Sequence, residues 1–237
     1  MATVYVINPN STETVTQAID EAVQPLRSSD GPEIDCITLA EGPPGIQSQR
    51  DVDGVIAPLL RRASALENRA AAFVIACFSD PGLQSLREQS TRPVFGIAEC
   101  GVLTALSIAQ RFGVIAILST SIPRHLRYFG AMGVIDRLAG EAAINVGVVD
   151  LANEELTFGR MADSGRTLRD AQGADVLVMG CAGMAKYRAK LEDALHIPVV
   201  EPTQAAVAMA LGRVRLGGTA KTFGGTLEQT RAGTRSR

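Results

Sequence analysis

The sequence predicts an α/β protein of two pseudo-symmetric lobes, each a four-stranded parallel sheet flanked by helices, with an active site in the cleft between them. Short apolar strands alternate with helical stretches along most of the 237 residues, a pattern typical of parallel sheets covered on both faces. The pattern restarts near Gly113, where a second set of four strand–helix units begins. Similar numbers of residues separate Asn8 from Cys77 and Leu118 from Cys181, so the two halves match in spacing.

Turn and capping residues bound the elements of the first half. A β-branched strand ends in the polar run at 8–12, which offers an N-cap to the next helix. Asp80 as an N-cap and Pro81 at the first helical position indicate a helix after the third strand, and Pro58 marks a restart within an earlier one. The predicted strands are 3–7, 33–39, 72–76 and 93–98, and the helices are 12–26, 51–70, a stretch after 80, and 100–111.

The second half repeats this order. Its predicted strands are 113–118, 145–149, 175–180 and 197–201, and its helices are a stretch from about 123, then 153–172, 184–195 and 203–213. We therefore divide the chain into an N-terminal lobe at 1–98 and a C-terminal lobe at 99–213, with helices near 100–111 and 203–213 that can pack across the boundary. The Gly/Thr-rich basic segment 214–237 is interpreted as a mobile tail.

Composition excludes several classes of function. A formal net charge of −2 gives no reason to expect a nucleic-acid partner. The sequence shows neither a long uncharged apolar run nor a secretory leader, which predicts a cytoplasmic protein without a membrane partner. The four cysteines are then expected to be free thiols. The two histidines, His125 and His196, have no metal-ligand spacing around them and are interpreted as surface residues.

Cys77 and Cys181 are the candidate catalytic residues. Each follows an apolar strand and precedes a predicted helix, whose N-terminus can lower the pKa of a thiol. Right-handed crossovers place the carboxyl ends of all strands of a lobe on one edge, where ligands bind. Two lobes facing each other would bring both thiols to one cleft. Either cysteine alone is as easily a small buried hydrophobe, and Cys36 and Cys100 are interpreted that way.

Two thiols on opposite faces of a carbon acid can racemise it without a cofactor. One sulfur removes a proton as a thiolate while the other, as a thiol, supplies one to the opposite face. Because the intermediate is an enolate, hydrogen-bond donors are needed where its negative charge develops. The candidate donors are the backbone N–H groups that follow the cysteines and two polar side chains. They belong to Phe78, Ser79, Ala182, Gly183, Asn8 and Ser119.

These motifs resemble the aspartate/glutamate racemase superfamily, specifically its hydantoin racemase branch. The matching segments are 6–11, 75–83, 96–99 and 180–185, and they cover nearly the whole chain except the tail. The resemblance implies Cys77 and Cys181 as the acid/base pair, no metal, no pyridoxal phosphate, a small-molecule substrate and a homo-oligomer. Amino-acid racemases of the superfamily have Asn-Thr after the first cysteine and Thr after the second. This chain has Phe78-Ser79 and Ala182, like hydantoin and allantoin racemases.

The chain departs from the branch at three places that bear on substrate binding. Gly45 stands where the branch has a substrate-holding serine, so Ser48 is its expected substitute. Thr120-Ser121 replaces an Arg-Thr pair, which makes Thr120 a further candidate for substrate binding. Glu201-Pro202 replaces Asp-Gly. The proton-transfer chemistry does not depend on these positions, whereas the choice of substrate does.

The sequence therefore predicts a cofactor-independent racemase of a 5-substituted hydantoin or a related cyclic ureide such as allantoin. Two alternatives are isomerases as well: a racemase of a free amino acid, or a cis-trans isomerase with Cys77 as nucleophile. A third alternative is a non-catalytic two-lobed binding protein with unreactive cysteines. Proton exchange at the substrate carbon distinguishes a racemase from the other two classes.

Overall fold

The computed structural model describes residues 2–147, 151 and 153–217. It confirms the predicted α/β fold with two four-stranded parallel sheets, whose strand orders are β2-β1-β3-β4 and β6-β5-β7-β8. The strands are β1 Thr3–Asn8, β2 Glu33–Thr38, β3 Ala70–Ile75, β4 Val94–Gly96, β5 Phe112–Ala116, β6 Leu138–Ala143, β7 Val176–Met179 and β8 Val199–Val200. The α-helices are α1 Glu13–Val23, α2 Gln49–Gly54, α3 Ile56–Leu66, α4 Leu83–Gln89, α5 Ile97–Ile108, α6 Ile122–Ala131, α7 Glu154–Arg166, α8 Arg188–Leu195 and α9 Pro202–Arg215.

The backbone repeats between the two sheets, as the spacing predicts. The N–H of Ala76, just beyond β3, donates to the carbonyl of Ile7 at 2.9 Å. The N–H of Gly180, just beyond β7, donates to the carbonyl of Ile115 at 2.8 Å. The next residue in each case is a cysteine, so the two candidate thiols occupy matching positions at the carboxyl ends of central strands.

Two helices cross between the lobes. Helix α5 follows β4 of the first sheet but packs against β7 of the second, and α9 follows β8 but packs against β1, β3 and β4. The side chain of Gln204 in α9 donates to the carbonyl of Ala22 in α1 at 2.8 Å, which ties the exchanged helix to the first lobe. A continuous apolar core therefore runs through both lobes. A separate cluster lies on the outer face of the first sheet, beneath α2, α3 and α4.

The sixth strand is not where the sequence analysis put it. We predicted a strand at 145–149, but β6 is Leu138–Ala143, and 148–149 lie outside the described residues. The segment lacks β-branched side chains, which is why its strand propensity is low. It is an edge strand whose pairing with β5 supplies the hydrogen bonds that local preference does not favour.

Other boundaries differ from the predictions as well. The fourth strand ends at Gly96 because Ile97 begins α5, earlier than the predicted start at 100. Asp80 does not cap the helix that follows it, since α4 begins only at Leu83 with Gly82 as its N-cap. Helix α9 extends to Arg215, and the rest of the predicted tail, from 218 onward, lies outside the described residues. No helix among the described residues is long and apolar enough to span a membrane.

Candidate active site

A cavity opens between the carboxyl ends of the two sheets. Both candidate thiols lie in its wall, one from each lobe. The turn after β3, the turn after β7, and the start of α6 supply most of its lining. The lining residues are Asn10, Val15, Ile46, Ala76, Cys77, Phe78, Ser79, Ile117, Ser121, Arg124, His125, Gly180, Cys181 and Ala182.

The turn after Cys77 is held in place by Asp80, which is buried. The Asp80 carboxylate accepts hydrogen bonds from the N–H groups of Ala98 and Glu99 at 3.0 and 2.9 Å, at the N-terminus of α5. It also accepts one from the hydroxyl of Tyr128 in α6 at 2.8 Å. A Cβ on Gly96 would lie 2.2 Å from the Asp80 carboxyl carbon, so only glycine permits this approach. Asp80 thus stabilises the N-terminus of α5 from outside that helix.

The turn after Cys181 is built from small residues and a short helix. Cys181 is the N-cap of a 3₁₀ helix, Ala182–Tyr187. A Cβ on Gly180 would lie 2.6 Å from the carbonyl oxygen of Ile115, which only glycine avoids. The charge of the buried Glu201 raises the pKa of Cys181, and its carboxylate accepts from the N–H groups of Thr203 and Gln204 at 3.0 and 2.6 Å and so caps α9. The helix after the fourth strand of each lobe is therefore capped by a buried carboxylate.

Both thiols have a raised pKa, contrary to the expectation from helix N-termini. Burial raises the pKa of Cys77 to about 12 and that of Cys181 to about 11. In each turn the backbone N–H two residues later, from Ser79 or Gly183, partly offsets this by hydrogen bonding to the sulfur. A charge on Cys181 raises the pKa of Cys77 further, which disfavours two thiolates at once. The raised pKa favours the protonated thiol at both cysteines.

Arg124 brings a positive charge to the Cys77 side of the cavity. Its Nε donates to the hydroxyl of Ser79 at 3.1 Å, and its charge favours the thiolate of Cys77. Arg124 also lines a second, more open pocket that contains Ser48 and Thr120. Arg124 carries no signal in the sequence, because a single arginine in a predicted helix resembles any surface residue.

His125 is a correction to the sequence analysis, which placed it on the surface. Its side chain and that of Glu141 in β6 are only 4% and 1% exposed, and Nδ1 lies 2.8 Å from Glu141 Oε2. The ring meets Phe78 edge-on, with centroids 5.3 Å apart, and forms part of the cavity wall. The other histidine, His196, is exposed as predicted. Because His125 in α6 contacts Glu141 in a strand that the sequence does not predict, the sequence contains no signal for this contact.

The structure distributes the predicted substrate-binding residues unevenly around the cavity. Phe78, Ser79 and Ala182 line it, and a Cβ on Gly183 would lie 3.8 Å from the sulfur of Cys181. Ser48 and Thr120 face the second pocket, where the Ser48 hydroxyl caps α2. Gly45 and Ser119 line neither of the two pockets, although Ile46 and Ser121 beside them line the cavity.

Asn8 is fully occupied inside the protein, and its neighbour Asn10 faces the cavity instead. The Asn8 amide donates to Asn10 Oδ1 and to the Thr16 hydroxyl, both at 3.0 Å. Asn10 lines the cavity, and its own Nδ2 donates to no described residue. The Ser121 hydroxyl is also buried in the wall and has no partner among the described residues. The structure thus presents unpaired polar groups that the sequence analysis did not select.

The comparisons with known proteins agree with this architecture. The model of the family Asp/Glu/Hydantoin racemase matches residues 4–210. The chain is 32% identical over 218 residues to a hydantoin racemase from Paenarthrobacter aurescens, covering 90% of this chain and 92% of that protein. Among solved structures, an allantoin racemase from Klebsiella pneumoniae has a TM-score of 0.89 at 29% identity, covering 94% and 92% of the two chains.

A second solved structure, an allantoin racemase from Pseudomonas fluorescens, has a TM-score of 0.87 at 24% identity and covers 99% of this chain and 98% of that one. At this identity the likeness shows the fold alone. The family model and the relative above 30% identity, which both span nearly all of the chain, also show the family. The protein therefore belongs to the Asp/Glu/Hydantoin racemase family and is an isomerase of the racemase type.

Proposed function

We propose that this protein racemises a 5-substituted hydantoin or a related cyclic ureide such as allantoin, with Cys77 and Cys181 as a two-base acid/base pair. The observation that carries the proposal is the placement of the two thiols: they come from matching strand ends of two lobes and line one cavity. The names of the relatives support a ureide substrate.

The proton transfers balance without any co-reactant. One cysteine, as a thiolate, takes the proton from C5 of the ring, and the C–H electron pair moves onto the C4 carbonyl as an enolate. The other cysteine, as a thiol, protonates C5 from the opposite face and becomes the thiolate. Exchange with water, or turnover of the opposite enantiomer, restores the starting form.

The cavity supplies donors for the developing enolate charge. Phe78 and Ala182, the residues directly after the two cysteines, line the cavity, and their backbone N–H groups are the candidate donors. Arg124 and the Asn10 amide add side-chain donors on the same wall. A bound substrate also displaces water from thiols whose pKa is already raised, so the thiolate that forms is a strong base. Homo-oligomerisation and a cytoplasmic location stay predictions.

Solvent deuterium exchange across a panel of substrates tests the proposal. Hydantoins with different C5 substituents, allantoin and free amino acids are incubated in D₂O and followed by NMR and chiral separation. We expect deuterium at C5 of cyclic ureides together with inversion. Exchange only with free amino acids would instead identify an amino-acid racemase. Double-bond isomerisation without C–H exchange would identify a cis-trans isomerase, and binding without reaction would identify a binding protein.

A further inference from the structure

The pair formed by His125 and Glu141 has no part in the two-thiol mechanism, although it lies in the cavity wall. Both side chains are almost completely buried, and a 2.8 Å hydrogen bond joins them. Burying a carboxylate and an imidazole is costly unless each gains partners. Glu141 uses one oxygen for His125, while its other oxygen, Oε1, has no partner among the described residues. The pair therefore calls for an explanation beyond stability.

The hydrogen bond selects which ring nitrogen of His125 remains available. A carboxylate oxygen that accepts from Nδ1–H leaves the ring proton on Nδ1 and the lone pair on Nε2. Nε2 makes no hydrogen bond to any described residue. Phe78 and Phe129 pack on the ring with centroids 5.3 and 6.2 Å away, and they keep it from rotating freely.

A cyclic ureide needs hydrogen-bond acceptors as well as donors. Its ring carries N–H groups, and each costs free energy if it is buried without a partner. Among the polar side chains of the wall, Asn10 Oδ1 and Ser79 Oγ already accept hydrogen bonds. Arg124 can only donate. Among the described residues, the acceptors of the wall without a hydrogen-bond partner are Nε2 of His125, whose ring bonds only through Nδ1, and the hydroxyl of Ser121, one turn earlier.

We propose that Nε2 of His125 accepts a hydrogen bond from a ring N–H of the ureide, and that Glu141 is the positioning residue that holds the imidazole in the accepting tautomer. This inference rests on the proposed function. We prefer His125 to Ser121 as the acceptor because the hydrogen bond from its Nδ1 to Glu141 fixes the orientation of the ring. The hydroxyl of Ser121 can rotate and can also donate. The contact fixes the rotation of the ring in its own plane, which sets C5 between the two thiols.

N-methylated substrates test this hydrogen bond directly, because methylation removes the ring N–H that would donate to Nε2. We compare 5-benzylhydantoin with its N1-methyl and N3-methyl derivatives, in the wild type and in His125→Phe. The phenylalanine matches the ring shape among Phe78 and Phe129 but accepts no hydrogen bond. The wild type should prefer the parent over one methyl derivative by about tenfold or more in kcat/KM. In His125→Phe the rate on the parent should fall by a similar factor, and the preference should largely disappear.

Two further variants separate recognition from folding. Glu141→Gln keeps the shape, but its amide can either donate to Nδ1 or accept from it, so the ring proton is no longer held on Nδ1. This variant should weaken the N–H preference, which a purely structural role would leave unchanged. His196→Asn changes the exposed histidine and should match the wild type. Equal wild-type rates on the parent and both methyl derivatives would overturn the inference while leaving the racemase function intact. Failure of the wild type to turn over any ureide would overturn both.

Discussion

The turns after Cys77 and Cys181 occupy matching positions in the two lobes but are built from different materials. The first is polar: Ser79 binds Arg124, and Asp80 reaches the N-terminus of α5 and the hydroxyl of Tyr128. The second consists of small residues and a 3₁₀ helix, and the buried Glu201 caps its own helix α9. The repeated strand–helix pattern therefore gives the two thiols matching backbone positions, whereas the side chains around them differ.

The inequality shows that burial outweighs local charge in this site. Arg124 favours the thiolate of Cys77, and Glu201 disfavours that of Cys181. The charges of Cys181 and Asp80 also raise the pKa of Cys77, and desolvation by burial is the largest cause of the raised pKa in both cysteines. A nearby cation is thus insufficient to bring the pKa of Cys77 below its ordinary value.

The most severe test of the pair replaces each cysteine by serine. Cys77→Ser and Cys181→Ser keep the size of the side chain but remove a base of suitable strength. Each should lower racemisation by about a hundredfold to ten-thousandfold, measured by polarimetry. Cys36→Ser and Cys100→Ser are the matched controls, since neither residue lines the cavity. A serine variant at Cys77 or Cys181 with near-wild-type activity would end the two-base mechanism.

The same variants reveal whether the two thiols face opposite sides of the substrate. In each, the remaining thiol can remove the proton from one enantiomer and return deuterium to the same face. Cys77→Ser and Cys181→Ser should therefore exchange opposite enantiomers without inversion, as followed by NMR with chiral separation. If both variants favour the same enantiomer, the cysteines do not stand on opposite faces.

Asp80, in the turn after Cys77, should make the stability of the protein depend on pH. Burial raises its pKa to about 7 from an ordinary 3.8, so the unfolded chain ionises at lower pH than the folded protein. Its contribution to stability is complete below about pH 4 and is lost as the pH rises to about 7, by about 4 kcal/mol in all. Urea unfolding at several pH values between 4 and 7 measures this decline in the free energy of unfolding. Asp80→Asn should remove the part that is due to Asp80.

The slope with pH decides that test, because the acceptor that Asp80→Asn also loses changes stability by an amount that does not vary with pH. Asp193→Asn, which removes an exposed carboxyl, is the matched control. An unchanged slope in Asp80→Asn would show that the carboxyl is ionised throughout, held by its three donors.

Ala76 and Gly180 directly precede the two cysteines. The substitutions Ala76→Gly and Gly180→Ala test how closely the backbone packs at each of these positions. A Cβ at Gly180 would meet the backbone of Ile115 at 2.6 Å, so Gly180→Ala should cost about 1–3 kcal/mol of unfolding free energy. Ala76→Gly should cost about 1 kcal/mol. Gly159→Ala in α7, where an added Cβ meets no atom within 4 Å, should be neutral or stabilising. A Gly180→Ala protein as stable as the wild type would contradict the close approach.

Arg124 gives the smallest expected effect. Arg124→Gln removes the cation beside Cys77 and should lower kcat/KM by about tenfold, with Arg124→Lys recovering part of the loss. Both directions of racemisation should fall equally, because the two enantiomers have the same free energy in solution. The control is Arg127→Gln, whose guanidinium binds Gln49 and the carbonyl of Pro123 instead. Equal losses at both arginines would point to a general charge effect.

The sequence by itself determined the fold class and the positions of the two thiols. Strand–helix alternation is carried by neighbouring residues: β-branched runs, prolines and capping side chains act within a few positions of one another. The same local signals repeat in the second half, which placed Cys77 and Cys181 at corresponding strand ends. Family resemblance then followed from the residues beside them.

Only the tertiary structure decided the rest of the cavity. His125 meets Glu141 through a strand that exists because β5 pairs with it, and Asp80 caps a helix that begins 17 residues later in the chain. The upward shift of each thiol pKa likewise depends on burial, to which every atom packed around the sulfur contributes. Such contacts join distant parts of the chain, and local sequence preference carries no information about them.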